Sequence, residues 1–219
     1  MDTLDAPPST LTCTDIPLYP KILNGCIYVV KYGLCSPEIF LRRVHKRQSK
    51  KLRKKGINLG THGYEYAIAE NILFNLKSLT TPLIPHHLYQ KLRSILDIEK
   101  EEDKFNYIAD IFQDVNEKQL YVIQVLLKTM YLLGTFQSEW NCSYCGKGNA
   151  GNGISVSMIA LPVTSYILRE KPLSGEGHWF LSWGQQASDI EVVKALVRNW
   201  EAVSWSFPEL RNVQLHLGE

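Results

Sequence analysis

The residues best equipped for chemistry in this sequence are cationic. Nine Lys/Arg (Arg42, Arg43, Lys46, Arg47, Lys50, Lys51, Arg53, Lys54 and Lys55) fall within fourteen residues that contain no acid. Such a run can bind phosphates or an anionic membrane surface, where each Lys or Arg close to the headgroups contributes about 1 kcal/mol. A solvated helix face that only keeps the protein soluble would read the same way, because like charges at this density repel one another. Nucleic acid is not an expected partner: no aromatic interleaves the run and no base-reading motif accompanies it.

Weaker constellations point elsewhere and fail on context. Gly146-Lys147-Gly148-Asn149-Ala150-Gly151 has the G-x-G-x-x-G form. It follows no strand and opens no βαβ unit, so a flexible loop is the expectation. Cys142 and Cys145 form one C-x-x-C, and the nearest further candidate ligand is His178. A structural zinc needs four ligands, so no metal site is expected. His86 and His87 read as solvated residues at a helix start. Ser155 and Ser157 lie in an apolar stretch without a G-x-S-x-G frame, which leaves a hydrolase unsupported. Trp179, Trp183, Trp200 and Trp205 could anchor a partner, but covering the end of a helical bundle is the favoured role.

The chain around these residues has 219 residues, 45% hydrophobic, and a formal net charge of +2. Its mean hydropathy of −0.15 is that of a soluble globular protein. Outside the cationic run, 15 basic residues face 22 acidic ones, a net of −7, so one basic block sits on an acidic body. No run approaches the roughly 18 apolar residues of a membrane span. Asp2 and Asp5 do not suit a signal peptide. Five scattered cysteines fit a reducing compartment rather than a disulfide framework, and a cytoplasmic location is expected.

The elements that must position the candidates are helices. Residues 1–15 read as a flexible leader around Pro7 and Pro8, and 206–219 as a tail. Ile16 to Tyr32 has the apolar content of a buried helix stopped at Gly33. The cationic run is expected as a helix ending at Gly56, with Val44 and Leu52 as its apolar anchors. Gly60 and Gly63 bracket a loop around His62, and a helix then runs from Tyr64 to Leu79. Glu99 to Val115 has one apolar stripe. Asn116 with Gln119 three residues on predicts a capping box before the most apolar helix, whose Ile123, Leu126, Leu127, Met130 and Leu133 follow helical spacing. Gly134 to Asn152 reads as a polar loop and Ile154 to Leu168 as a buried helix despite Pro162. Ser188-Asp189-Ile190-Glu191 predicts a second capping box and a helix start. Only Gln214 to Leu217 hints at a strand, so the fold class is all-α, with one domain over 16–205.

The corner between the third and fourth of these segments, Pro82-Leu83-Ile84-Pro85-His86-His87-Leu88-Tyr89, is the most distinctive wording in the chain. Pro82 and Pro85 fix φ and withhold backbone donors, which ends one helix and suits the first residue of the next. The corner resembles the "PLIPxxLY" segment of the Rho GTPase-activating (RhoGAP) domain. The opening Pro20, Leu23, Cys26, Val29 and Gly33-Leu34 is similar to that family's first motif, and Asn152, Ile154, Met158, Ile159 and Ala160 are similar to its "N-x-M-x-x-x-N-L-A" segment. These pieces occur in the family's order over roughly Ile16 to Val203. The resemblance implies an all-α helical bundle of about seven to nine helices, a Rho-family small GTPase as partner and no cofactor.

It also implies a mechanism. A small GTPase hydrolyses GTP slowly until an arginine enters its site and stabilises the transition state, an effect of about 10³–10⁵ in rate. In the family that arginine ends the motif "E-G-I-F-R". Here the family's Glu-Gly falls on Pro37-Glu38 and the arginine on Leu41, with Arg42 one residue late. The family's lysine and arginine before the corner fall on Leu73 and Lys77. Its two asparagines fall on Asn152 and Met158. The resemblance therefore implies a GTPase-binding face at Arg42, Arg43, Lys77 and Asn152 with weak or absent activation. The alternatives are an active protein with Arg42 or Arg43 as displaced finger, and a membrane-surface adaptor using the basic helix of residues 42–55.

Overall fold

The computed structural model describes residues 18–44, 46–55, 63–135, 154–168 and 183–205, and all regular structure among them is helical. In chain order these are α1 (Tyr19–Tyr28), α2 (Lys46–Lys55), α3 (Glu65–Lys77), α4 (Tyr89–Arg93), α5 (Glu101–Ile111), α6 (Glu117–Thr135), α7 (Val156–Ile167), α8 (Trp183–Arg198) and α9 (Ala202–Trp205). The expected leader of residues 1–15, the tail of 206–219, the hinted strand at Gln214 to Leu217 and most of the polar loop lie outside the described residues.

Helix α6 is central because it is apolar on nearly every side. Leu120, Val122, Ile123, Val125, Leu126, Leu127, Met130 and Leu133 are all buried, and the helix packs on α1, α7, α8 and α9. A helix that is hydrophobic all round can only be stable at such a centre. It runs on through Gly134 to Thr135, two residues into the stretch expected as loop. Helix α1 closes on α3 at Gly25, where a Cβ would lie 2.6 Å from Ile72 Cγ1. Only the missing side chain permits that approach. Beyond Tyr28 the helix widens into one π turn, Val29–Gly33, before it stops.

The Pro82–Pro85 corner joins four elements. Pro82, Leu83, Ile84 and Pro85 are all buried, so their backbone groups need partners. Ile84 N–H donates to the Ile167 carbonyl at the end of α7 (3.0 Å). The Leu83 carbonyl accepts from Gln119 Nε2 at the start of α6 (2.8 Å). Tyr89, opening α4, donates its hydroxyl to Asp189 Oδ1 of α8 (2.8 Å).

Three local expectations are corrected by these contacts. Gln119 does not close a capping box: it is buried and bonded to the corner, while Asn116 Oδ1 alone caps, accepting from Lys118 N–H (3.0 Å). Ser188 does not open a helix, because α8 begins at Trp183. Asp189 is committed to Tyr89, and Glu191 pairs with Lys194 (2.8 Å). Pro85 has ψ 134° and precedes the short 3-10 turn His86–Leu88 rather than starting it. Ser155 caps α7 by accepting from Met158 N–H (3.3 Å), which gives that serine a structural role. Trp200 rests against the core with its ring 6.4 Å from that of Tyr131 and under the Lys128 ammonium. The side chains of Trp183 and Trp205 and the whole of Trp179 lie outside the described residues.

Cys26 sits at the α1–α6 contact with no exposure. Burial pushes its thiol from 9.0 up to about 12, against a weaker opposing bond from Thr129. The folded state keeps this proton between pH 9 and 12 while the unfolded chain loses it. Stability is therefore unaffected below pH 9 and falls above it, by up to about 1.4 kcal/mol per pH unit from this group. Denaturant titrations of wild type and Cys26→Ala at pH 8 and 10.5 should show the steeper alkaline loss in wild type only.

Candidate functional site

The first candidates lie in the loop between the π turn and α2. Its backbone is set by two turns, Ser36 N–H to Gly33 O (2.9 Å) and Leu41 and Arg42 N–H to Glu38 O (2.8 and 2.9 Å). Ile39 and Phe40 are buried and anchor it. Gly33 makes room, because a Cβ there would fall 2.6 Å from Ile39 Cδ1. Glu38 has φ +54°, the left-handed region that favours glycine. In the register that the resemblance implies, the family pattern has glycine at this position. Three residues on, between buried Phe40 and exposed Arg42, Leu41 is 40% exposed.

Tyr66, one residue into α3, holds this loop from below. Its hydroxyl donates to the Pro37 carbonyl (3.1 Å) and accepts from Arg42 Nη1 (3.5 Å). The Arg42 guanidinium lies 5.4 Å from the Tyr66 ring centroid, within cation–π range. Arg42 is thus turned onto its own domain. Arg43 is exposed beside it, and both arginines line an open cleft of about 290 Å³ with Val44, Gln48, Gly63, Tyr64, Tyr66 and Ala67. The cleft wall is fixed behind by buried Tyr28, whose hydroxyl accepts from Tyr64 N–H (3.3 Å).

Helix geometry carries the edge onward. Positions 66, 73 and 77 of α3 fall within about 40° of one another around the axis, and span about 16 Å along it. Leu73 is half-buried against the core and Lys77 is exposed at the last turn. Phe74, beside Leu73, is 45% exposed. Met158 is half-buried in the first turn of α7, and α3 packs on α7. Asn152 lies outside the described residues. Of the four candidates, Arg42 and Arg43 are brought together at one end of this edge and Lys77 stands at the other.

The remaining basic candidates form α2, which packs on α3. Arg47, Lys50, Lys51 and Lys54 are exposed; Lys46, Arg53 and Lys55 belong to the same helix. Ser49, 1% exposed, donates its hydroxyl to Glu70 Oε2 of α3. Leu52 packs on the core as expected. Tyr66, Glu70 and Ser49 were not legible as site residues, because each acquires its role from a partner more than twenty residues away.

Among the described residues no three His, Cys, Asp or Glu come together as a metal site, while Cys142, Cys145 and His178 lie outside them. His86 and His87 are exposed, and partial desolvation of the His87 ring, with the nearby charges of His86 and Lys91, holds His87 below the usual imidazole range. No helix among the described residues is long and apolar enough to cross a membrane. Among the described residues the edge is cationic and partly apolar.

The family model of the RhoGAP domain matches residues 20–171. The crystal structure of the BH domain from Graf, the GTPase regulator associated with focal adhesion kinase, superposes with a TM-score of 0.65 at 14% identity, covering 85% of this chain and 94% of that one. Human Rho GTPase activating protein 15 superposes with a TM-score of 0.63 at 13% identity, covering 83% and 82%. No curated protein sequence matches the chain significantly. The family match spans well over half of the chain, and the neighbours share its helical fold: the chain belongs to the RhoGAP domain family, whose members regulate Rho-family GTPases.

Proposed function

We propose that this domain binds a Rho-family GTPase through the loop of residues 37–43 and the outer edge of α3, and accelerates GTP hydrolysis weakly or not at all. The observation that carries the reading is Leu41, exposed where the family motif has its arginine. The positive φ of Glu38 supports that register, since a left-handed backbone suits the glycine that the family motif has three residues before its arginine. Leucine brings no charge to a transition state whose stabilisation is electrostatic. Arg42 is one residue late and engaged with Tyr66. Arg42, Arg43 and Lys77, with Asn152, then serve as contacts to acidic switch regions and the nucleotide edge of a cytoplasmic partner.

Single-turnover GTP hydrolysis by a panel of Rho-family GTPases tests this. Excess wild-type protein is expected to bind at least one of them with a rate within about tenfold of the intrinsic one, far below the effect of an arginine finger. The double variant Arg42→Ala/Arg43→Ala should weaken binding and leave the rate at its intrinsic value. Acceleration of about a hundredfold or more that disappears in the variant would instead make Arg42 or Arg43 the finger.

A further inference from the structure

We propose that the outer face of α2 is a docking surface for an anionic lipid bilayer, independent of the GTPase edge. An α-helix turns about 100° per residue, so the seven Lys/Arg positions between 46 and 55 fill a continuous arc of roughly 200°. Gln48, Leu52 and Ser49 occupy the rest. The structure turns the non-basic side inward: Ser49 is buried on Glu70, and Gln48 and Leu52 are half-buried. Arg47, Lys50, Lys51 and Lys54 face solvent. The exposed arc therefore has one sign of charge and no apolar or hydrogen-bonding side chain of another kind.

A face kept only for solubility does not need this arrangement. Like charges four apart on a helix repel, and α2 repeats that spacing along Lys46–Lys50–Lys54 and Arg47–Lys51–Lys55. No acid stands in its first turn, so the cations there also oppose the helix dipole. Among the described residues no carboxylate pairs with Lys50, Lys51 or Lys54. Glu70 is spent on holding Ser49. An anionic surface relieves all of these repulsions together.

The shape and the rest of the charge select a bilayer among anionic partners. The face is a straight rod of about 15 Å without the aromatics that stack bases or the Asn and Gln that read them. Outside α2 the chain has 17 basic and 22 acidic residues, a net of −5. Its acidic helix α5 opens with exposed Glu101, Glu102 and Asp103 and packs on α4 and α9 rather than on α2. A negatively charged plane attracts one pole of such a molecule and repels the other, which orients it. Binding is electrostatic, without insertion of side chains into the hydrocarbon.

The test is co-sedimentation of the full chain with phosphatidylcholine vesicles, with and without phosphatidylserine, for wild type and Lys50→Ala/Lys51→Ala/Lys54→Ala. Binding is expected only with phosphatidylserine, falling about 100-fold in the variant, about fivefold for each lysine, and falling steeply with added salt. Circular dichroism and GTPase binding of the variant should match wild type, which separates loss of this face from loss of the fold or of the other edge. Equal partitioning of wild type to neutral and anionic vesicles, or equal binding by the variant, would overturn the proposal. So would tighter binding to a short RNA duplex than to the anionic vesicles at the same salt.

Discussion

Leu41→Arg is expected to raise the single-turnover rate of GTP hydrolysis by a bound Rho-family GTPase about 100-fold over the wild-type complex. An arginine finger is worth about 10³–10⁵ in rate. The lower estimate reflects Leu73 and Met158, which by the resemblance stand where the family has further polar groups. The substitution asks little of the fold. Leu41 is 40% exposed, and its backbone bond to Glu38 does not involve the side chain. Buried Ile39 and Phe40 and the Tyr66–Pro37 bond keep the loop in place, so stability should change by no more than about 0.5 kcal/mol. Leu41→Lys is the informative control. A lysine supplies charge without the planar fork of donors, and should recover a small part of the effect. If Leu41→Arg binds as well as wild type and hydrolysis stays at its intrinsic rate, the assigned register of the loop is wrong.

Tyr89→Phe should lower stability by about 2 kcal/mol, the range for a hydrogen bond to a charged group. In a chain of this size that is about 4–8 °C in Tm. The hydroxyl reaches Asp189 Oδ1 at 2.8 Å, and both side chains are about 1% exposed. Removing the donor takes a partner from a carboxylate that water cannot reach. The bond also fastens α8, which lies beyond the residues matched by the family model, to the corner that opens α4. A double-mutant cycle with Asp189→Ala isolates the pair, since truncating both ends should cost less than the two single changes added together. A Tyr89→Phe protein melting within about 1 °C of wild type would mean that the bond does not hold α8.

The two largest effects were unequally legible in the sequence. The place of Leu41 could be proposed from sequence because a motif of five residues lies in one loop, and its register can be counted along the chain. Asp189 was misread because Ser188 and Glu191 around it have the spacing of a capping box. Nothing local indicates that this carboxylate belongs to a tyrosine 100 residues away. Gln119 failed in the same way: its spacing from Asn116 fits a cap, yet its amide is taken by the Leu83 carbonyl 36 residues earlier.

By itself the sequence determined what is decided within one or two turns of chain. Pro82 and Pro85 end and redirect a helix through their own φ angles. The apolar spacing of α6 requires a buried helix, and the acid-free cationic run requires a surface one. The tertiary structure alone decided which buried polar group meets which. Gln119 reaches the corner, Asp189 takes Tyr89, Glu70 takes Ser49, and Tyr66 takes Arg42. Those choices follow from the need to satisfy each polar group once the helices are packed, and that need arises only when distant segments share one interior.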